Sequence, residues 1–398
     1  MRKLYLLISL FAMVLTTTAE PLWMRYPALS PDGKQIAFTY KGCIYVVPSV
    51  GGAAQRVTPS TGYSYAPVWS PDGKTLAYAN DHYGNFDIFT VSAQGGTPLR
   101  VTTNSAKETP YAFSNDGKRI YFGASIYDPS QSALFPKSSM SELYSIPVQG
   151  GRYEQVLATP AEYICFSADG KQFLYQDRKG GENEWRKHHT SSITRDIWLY
   201  DIATTTHRQL TQWEGENRNP NYAIDGKSFY YLSEQGGTFN VWQMPFDNAS
   251  QARQVTNFKT HPVRFLSVAR NGMLCFGYNG EIYTMAQNAE PRKVKVEITS
   301  DDPTDKNTYL TVSGGGSATV SPDGKMIASV SRGELFVTAV DYPTTKRITQ
   351  TAQSEMAPTF SPDSKTLAYA SERNGNRNIY TATVVRPQEP NLAYATLI

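Results

Sequence analysis

The residues best suited to chemistry in this chain stand together at Arg186-Lys187-His188-His189, within a segment that also carries Glu182, Glu184 and Arg195. Imidazoles beside carboxylates suggest a metal first. A bound metal wants ligands that converge from separate strands, however, and two adjacent histidines on extended backbone point to opposite faces. The spacing therefore predicts no metal site. Two readings of the segment stay open: a basic insertion that lines a channel mouth or docks on another domain, and an ordinary solvated loop. Nothing else gathers into a reactive group. The chain has no Gly-x-Ser-x-Gly elbow, and His82, His207 and His261 lie far apart. Cys43, Cys165 and Cys275 are odd in number and sit in strand-like surroundings, so they are expected to be buried free thiols. No catalytic residue, metal ligand or cofactor site is predicted.

The elements that must position this segment follow from composition and repetition. Only 18% of residues are charged, while 26 Tyr, 17 Phe, 29 Gly and 24 Pro indicate short aromatic strands divided by turns. A formal net charge of +3 creates no broad basic field, which argues against nucleic acid or an anionic membrane as partner. At the start, Arg2 and Lys3 precede an apolar run from Leu4 to Leu15 and the small residues Thr17-Thr18-Ala19. This is the form of a secretory signal over residues 1–19, because the run is roughly 12 residues against the ~20 that span a bilayer. A periplasmic or secreted protein is expected, without a lipid anchor.

A turn recurs eight times. Ser30-Pro31-Asp32-Gly33-Lys34, Ser70-Pro71-Asp72-Gly73-Lys74 and Ser321-Pro322-Asp323-Gly324-Lys325 are its strongest copies, and weaker ones fall at Asp116, Asp169, Asp225, Asn271 and Asp363. Pro presets φ, Asp caps the turn and Gly accepts positive φ, so each copy is a tight hairpin. Its Ser is a turn former rather than a nucleophile. An alternating strand follows (Leu76-Ala77-Tyr78, Leu367-Ala368-Tyr369), then an aromatic third strand (Ile44-Tyr45-Val46, Ile197-Trp198-Leu199-Tyr200). A Gly-Gly turn and a fourth strand such as Arg100-Val101-Thr102 or Arg347-Ile348-Thr349 complete the period. Four strands per period make one propeller blade, and blades must stack to bury both faces.

Six periods run from about Tyr26 to Val296, and then polar residues 299–307 interrupt the rhythm before two more. The predicted fold is all-β: a six-bladed β-propeller at 20–297, a linker at 298–312, and two blades of a second, incomplete propeller at 313–398. One propeller of all eight repeats is the alternative. An insertion from Tyr127 to Ser141, rich in Ser and Pro, is expected to be a surface loop.

Such periods resemble the TolB-type propeller repeat, and their order resembles the front of tricorn-type proteases, where a six-bladed propeller precedes a seven-bladed one, a PDZ domain and a serine-peptidase core. Leu22-Trp23-Met24-Arg25-Tyr26-Pro27, the segment from Trp185 to Trp198, and Ser331-Arg332-Gly333-Glu334-Leu335-Phe336 carry the likeness most sharply. TolB itself and the dipeptidyl-peptidase IV family use similar blades. The resemblance implies a non-catalytic module that gates or scaffolds substrate access in an exported peptidase, with peptides or protein domains as partners and an oligomer as one form of assembly. The alternative is a free-standing interaction propeller. In the family an Arg pair between the second and third blades anchors the substrate carboxylate, whereas here residues 103–108 offer Lys107 as their only cation. Lys107, Arg186, Lys187, His188 and His189 are the expected channel or partner contacts.

Overall fold

A computed structural model describes residues 21–126, 140–181, 183–186, 188, 190–298, 316–351 and 353–398. The signal segment, the core of the linker, most of the Tyr127–Ser141 insertion, Lys187 and His189 lie outside the described residues. The protein is all-β. Its described residues fall into two compact units, one reaching residue 298 and the other starting at 316.

The first unit contains six four-stranded antiparallel sheets, each with its strands in chain order. In the first sheet these are Arg25–Leu29, Gln35–Tyr40, Cys43–Pro48 and Gln55–Arg56. The turn between the first two strands shows why the repeat is written as it is. Ser30 Oγ donates to Asp32 Oδ1 at 2.7 Å, and that carboxylate accepts from Lys34 N at 3.1 Å. Gln35 N returns a bond to Ser30 Oγ at 2.9 Å, and Gly33 takes φ of +74°, a value that favours glycine. Accepting these bonds holds the Asp32 carboxyl below its usual range. The same Ser–Asp bond recurs at Ser70, Ser114, Ser167, Ser321 and Ser361.

Fourth strands are shorter than the sequence suggests, because a threonine leaves the ladder to bond sideways. Thr58 Oγ1 accepts from Ile44 N at 2.9 Å, and Thr102 and Thr211 repeat the bond to Ile88 and Ile197. The backbone need is met by a side chain instead of a longer strand.

First strands touch one another in sequence, and that of the sixth sheet returns to that of the first, which closes a ring. Alternation then sends successive side chains to opposite neighbours. Ile36 and Phe38 face Cys275 and Ile282 of the sixth sheet, while Ala37, Ile44 and Val46 face Leu76 and Tyr78 of the second. Four comparable clusters fill the remaining gaps between sheets. The seam is tied by backbone. Val296 and Glu297 pair in parallel with Gly52 and Ala53, and Met24 N donates to Gly280 O at 3.0 Å.

The second unit contains a four-stranded sheet (Ala318–Val320, Met326–Ser331, Glu334–Ala339, Thr345–Arg347) and a three-stranded one (Glu355–Phe360, Thr366–Ser371, Asn378–Thr383). Val384 bridges to Leu397, and Val385 N donates to Thr396 O at 2.8 Å, so the final residues line the last strand. One core joins the two sheets: Met326, Leu335, Val337, Phe360, Leu367 and Tyr369, with Leu392 and Ala395 from the returning segment.

Candidate functional site

Where the six first strands converge, the ring encloses a cavity of about 340 Å³. Each of these strands is bulged at the same place, with register skipping between Arg25/Ala28, Tyr65/Val68, Pro110/Ala112, Glu162/Cys165, Arg218/Asn221 and Arg264/Ser267. At the bulge Tyr26, Ala66, Tyr163, Asn219 and Phe265 hold φ between +49° and +59°, the left-handed region that side chains seldom occupy. The third strand is the exception. Its matching residue is Pro110, whose ring fixes φ near −65°. Prolines recur beside the bulges, at Pro27, Pro67 and Pro220, because an innermost strand has no neighbour to receive an N–H.

The bulges aim aromatic rings at the axis. Tyr26 lies 4.5 Å from Phe265 and 5.6 Å from Tyr65 between centroids, and Tyr111 lies 5.7 Å from Tyr163. Gly123 makes room for this ring of aromatics: a Cβ there would stand 2.3 Å from the Tyr111 hydroxyl oxygen. Beyond the aromatics, on the side away from the turns, opens a polar chamber of about 630 Å³ lined also by Lys107, Thr109, Ser125, Glu162, Arg178, Glu184, Trp185 and Arg195. Tyr26, Tyr111 and Tyr163 border both spaces.

Residues 183–186 of the fourth sheet cross this chamber. Arg218 Nη1 donates to Glu184 O at 2.6 Å, and Arg264 donates to Glu184 O at 2.8 Å, Trp185 O at 2.9 Å and Arg186 O at 3.3 Å. Arg25 and Arg264 stack on the Trp185 ring, 5.0 and 5.3 Å from its centroid, and Phe265 meets its edge. Guanidiniums from the fifth, sixth and first sheets thus hold a segment of the fourth. Burial, reinforced by nearby Arg218, brings the Arg264 pKa down to about 10.

Below the segment the charges are paired. Arg195 Nη1 reaches Glu216 Oε1 at 2.9 Å, Arg218 Nε reaches the same oxygen at 2.7 Å, and Arg178 Nη1 meets Glu162 at 3.3 Å. Burial opposes the Arg195 charge, but Glu162 and Glu216 outweigh it and hold the proton more firmly than usual. Burial pushes the Tyr65 hydroxyl up to about 12 and the Tyr26, Tyr111 and Tyr163 hydroxyls higher still.

The structure brings two of the sequence's candidates to this place. Lys107 lines the chamber, its ammonium 5.6 Å from the Tyr65 ring centroid and 5.5 Å from that of Phe86. Arg186 contributes its backbone carbonyl and leaves its side chain exposed. His188, also exposed, stands 3.4 Å from Glu234 Oε2. Among the described residues no three His, Cys, Asp or Glu side chains converge as metal ligands would. Sequence reading missed Arg25, Arg218 and Arg264. All three precede the bulge residue of a first strand, a position that becomes visible only in the folded ring.

A ring of four-stranded sheets around a bulge-lined cavity defines a propeller domain. The chain belongs to the family described as the tricorn protease N-terminal beta propeller domain, which matches residues 21–291. It is 24% identical over 253 residues to dipeptidyl-peptidase 5 of Porphyromonas endodontalis, covering 52% of this chain and 36% of that protein. It is 24% identical over 186 residues to the Tol-Pal system protein TolB of Wolinella succinogenes, covering 46% of this chain and 40% of that one. The crystal structure of the tricorn protease superposes with a TM-score of 0.60 at 14% identity, covering 95% of this chain and 44% of that one. This chain therefore spans less than half the length of each of these three proteins. No described helix is long and apolar enough to cross a membrane.

Proposed function

We propose that the ring is a non-catalytic module that gates or scaffolds substrate access in an exported, tricorn-like serine peptidase engaged in peptide degradation. The reading takes residues 1–19 as a cleaved signal, 20–297 as a six-bladed propeller, and 313–398 as two blades of a second, joined by 298–312. A channel mouth crossed by Glu184-Trp185-Arg186 is the observation that carries it: three guanidiniums from other sheets fix a segment where a peptide would have to pass. Lys107, Arg186, Lys187, His188 and His189 are the contacts assigned to the peptide or to a neighbouring domain. A TolB-like interaction propeller is the second reading, favoured by the likeness to TolB.

Cys165 reports on the gate because it lines the channel, whereas Cys43 and Cys275 are buried. Trp185→Ala should raise the rate of Cys165 alkylation by a bulky maleimide at least fivefold, with no peptide cleavage by the purified chain. An unchanged rate refutes the gate, and turnover of peptides refutes a non-catalytic role.

A further inference from the structure

Glu184 differs from every other acid around the chamber. Glu162 and Glu216 are spent on Arg178, Arg195 and Arg218. The Glu184 backbone is fixed by Arg218 and Arg264, but among the described residues its carboxylate has no ion-pair or hydrogen-bond partner. It is half-buried and lines the chamber together with Tyr26, Tyr65 and Tyr163. Two cations lie in its field, yet both are committed elsewhere: Arg195 to Glu162 and Glu216, Arg264 to three backbone carbonyls.

An unpaired carboxylate in a chamber with aromatic walls suits an organic ammonium, which gains a charge-assisted bond and contact with the rings. We infer that the chamber is a receptor for the α-ammonium of short, unblocked peptides, with Glu184 as the recognising anion. Three observations choose this ligand over other cations. The walls carry Tyr26, Tyr65, Tyr111, Tyr163 and Trp185, which offer faces to a carbon-bearing cation, whereas among the described residues no three His, Cys, Asp or Glu side chains converge to hold a bare metal ion. Lys107 already places one ammonium against Tyr65 and Phe86, which disfavours a polyamine with charges at both ends. The volume, about 630 Å³, lies within the range of sites that enclose small organic ligands. The ligand class rests on the peptide-handling function proposed above.

Calorimetric titration of the whole chain with the tripeptide Gly-Phe-Ala and with its N-acetyl form tests the assignment. The free peptide should bind at least tenfold more tightly. Glu184→Gln, which keeps size and backbone contacts, should bring the two within twofold of each other. Lys74→Met, on an exposed turn of the second sheet, should keep the preference for the free amine. Equal binding of both peptides by the unaltered chain, binding of neither, or a preference that survives Glu184→Gln overturns it. Failure of the gate reads separately: unchanged Cys165 alkylation in Trp185→Ala with the amine preference intact leaves a binding chamber without a gate.

Discussion

The two units are written in the same repeat but do not bury it equally. Leu76 in the ring and Leu367 in the smaller unit occupy the same place in the second strand, and both are completely buried. In the ring the opposite faces are buried as well, as Ala77 packs toward the third sheet while Leu76 packs toward the first. In the smaller unit they are not: Ile327 is 39% exposed and Ile379 81%. The repeat specifies the sheet, whereas the number of neighbours sets how much each sheet is stabilised. Hydrogen bonds change with the surroundings too. Thr102 donates to Glu108 Oε2, while its counterpart Thr349 donates to Glu334.

Removing one core side chain from each unit strains the comparison most. Leu367→Ala should cost about 2–5 kcal/mol, enough to abolish amide-exchange protection across the smaller unit's strands while the ring keeps its own. Leu76→Ala, at a similar cost, should leave the ring folded. Protection that persists in Leu367→Ala would show that both units have similar reserves.

Acid and base should weaken the units in opposite order. Burial raises the Glu108 pKa to about 8 against the pull of Thr102 and Arg100. Its proton is therefore bound in the native state, and the associated stability is complete below about pH 4.5 and lost as pH rises toward 8. Burial also opposes ionisation of Glu334, but Thr349, Arg347 and the Thr351 N–H outweigh it and lower its pKa. That contribution is present above about pH 4.5 and lost as pH falls through the depressed value. Exchange measured from about pH 2 to 8, corrected for intrinsic rates, should show the Glu108 contribution fading upward in the ring and the Glu334 contribution fading downward in the smaller unit. Glu108→Gln should flatten the ring's response and stabilise it at pH 8 by about 1–2 kcal/mol.

The smallest effect concerns a turn. Ser364 holds φ of +59° where Gly33, Gly73 and Gly324 stand in other copies. Ser364→Gly should relieve that strain by up to about 1 kcal/mol, less what is lost with the Asp323 N–Ser364 Oγ bond of 3.3 Å. A lowered melting temperature would mean that the hydroxyl bond prevails.

Much of the architecture was legible because its cues are local. A Ser–Asp–Gly turn organises six residues by itself, so its recurrence announced the sheets before any long-range contact was known. Lys107 and the basic segment were legible as unusual charge. Their meeting in one chamber was not, because it depends on how far residues 183–186 travel across the ring. Likewise, no propensity would place Tyr26, Tyr163 or Phe265 in left-handed backbone, where the convergence of six strands overrides local preference.

The seam of the ring carries a consequence for biosynthesis. Arg292 donates to Val50 O across 242 positions of sequence, beside the parallel pairing at Gly52 and Ala53. At translation rates of about 5–20 residues per second, the first sheet waits roughly 10–50 s for the partner that shields Ile36 and Phe38. During that interval the nascent chain displays a sticky apolar surface, which makes it a client for holdase chaperones until its last strands emerge.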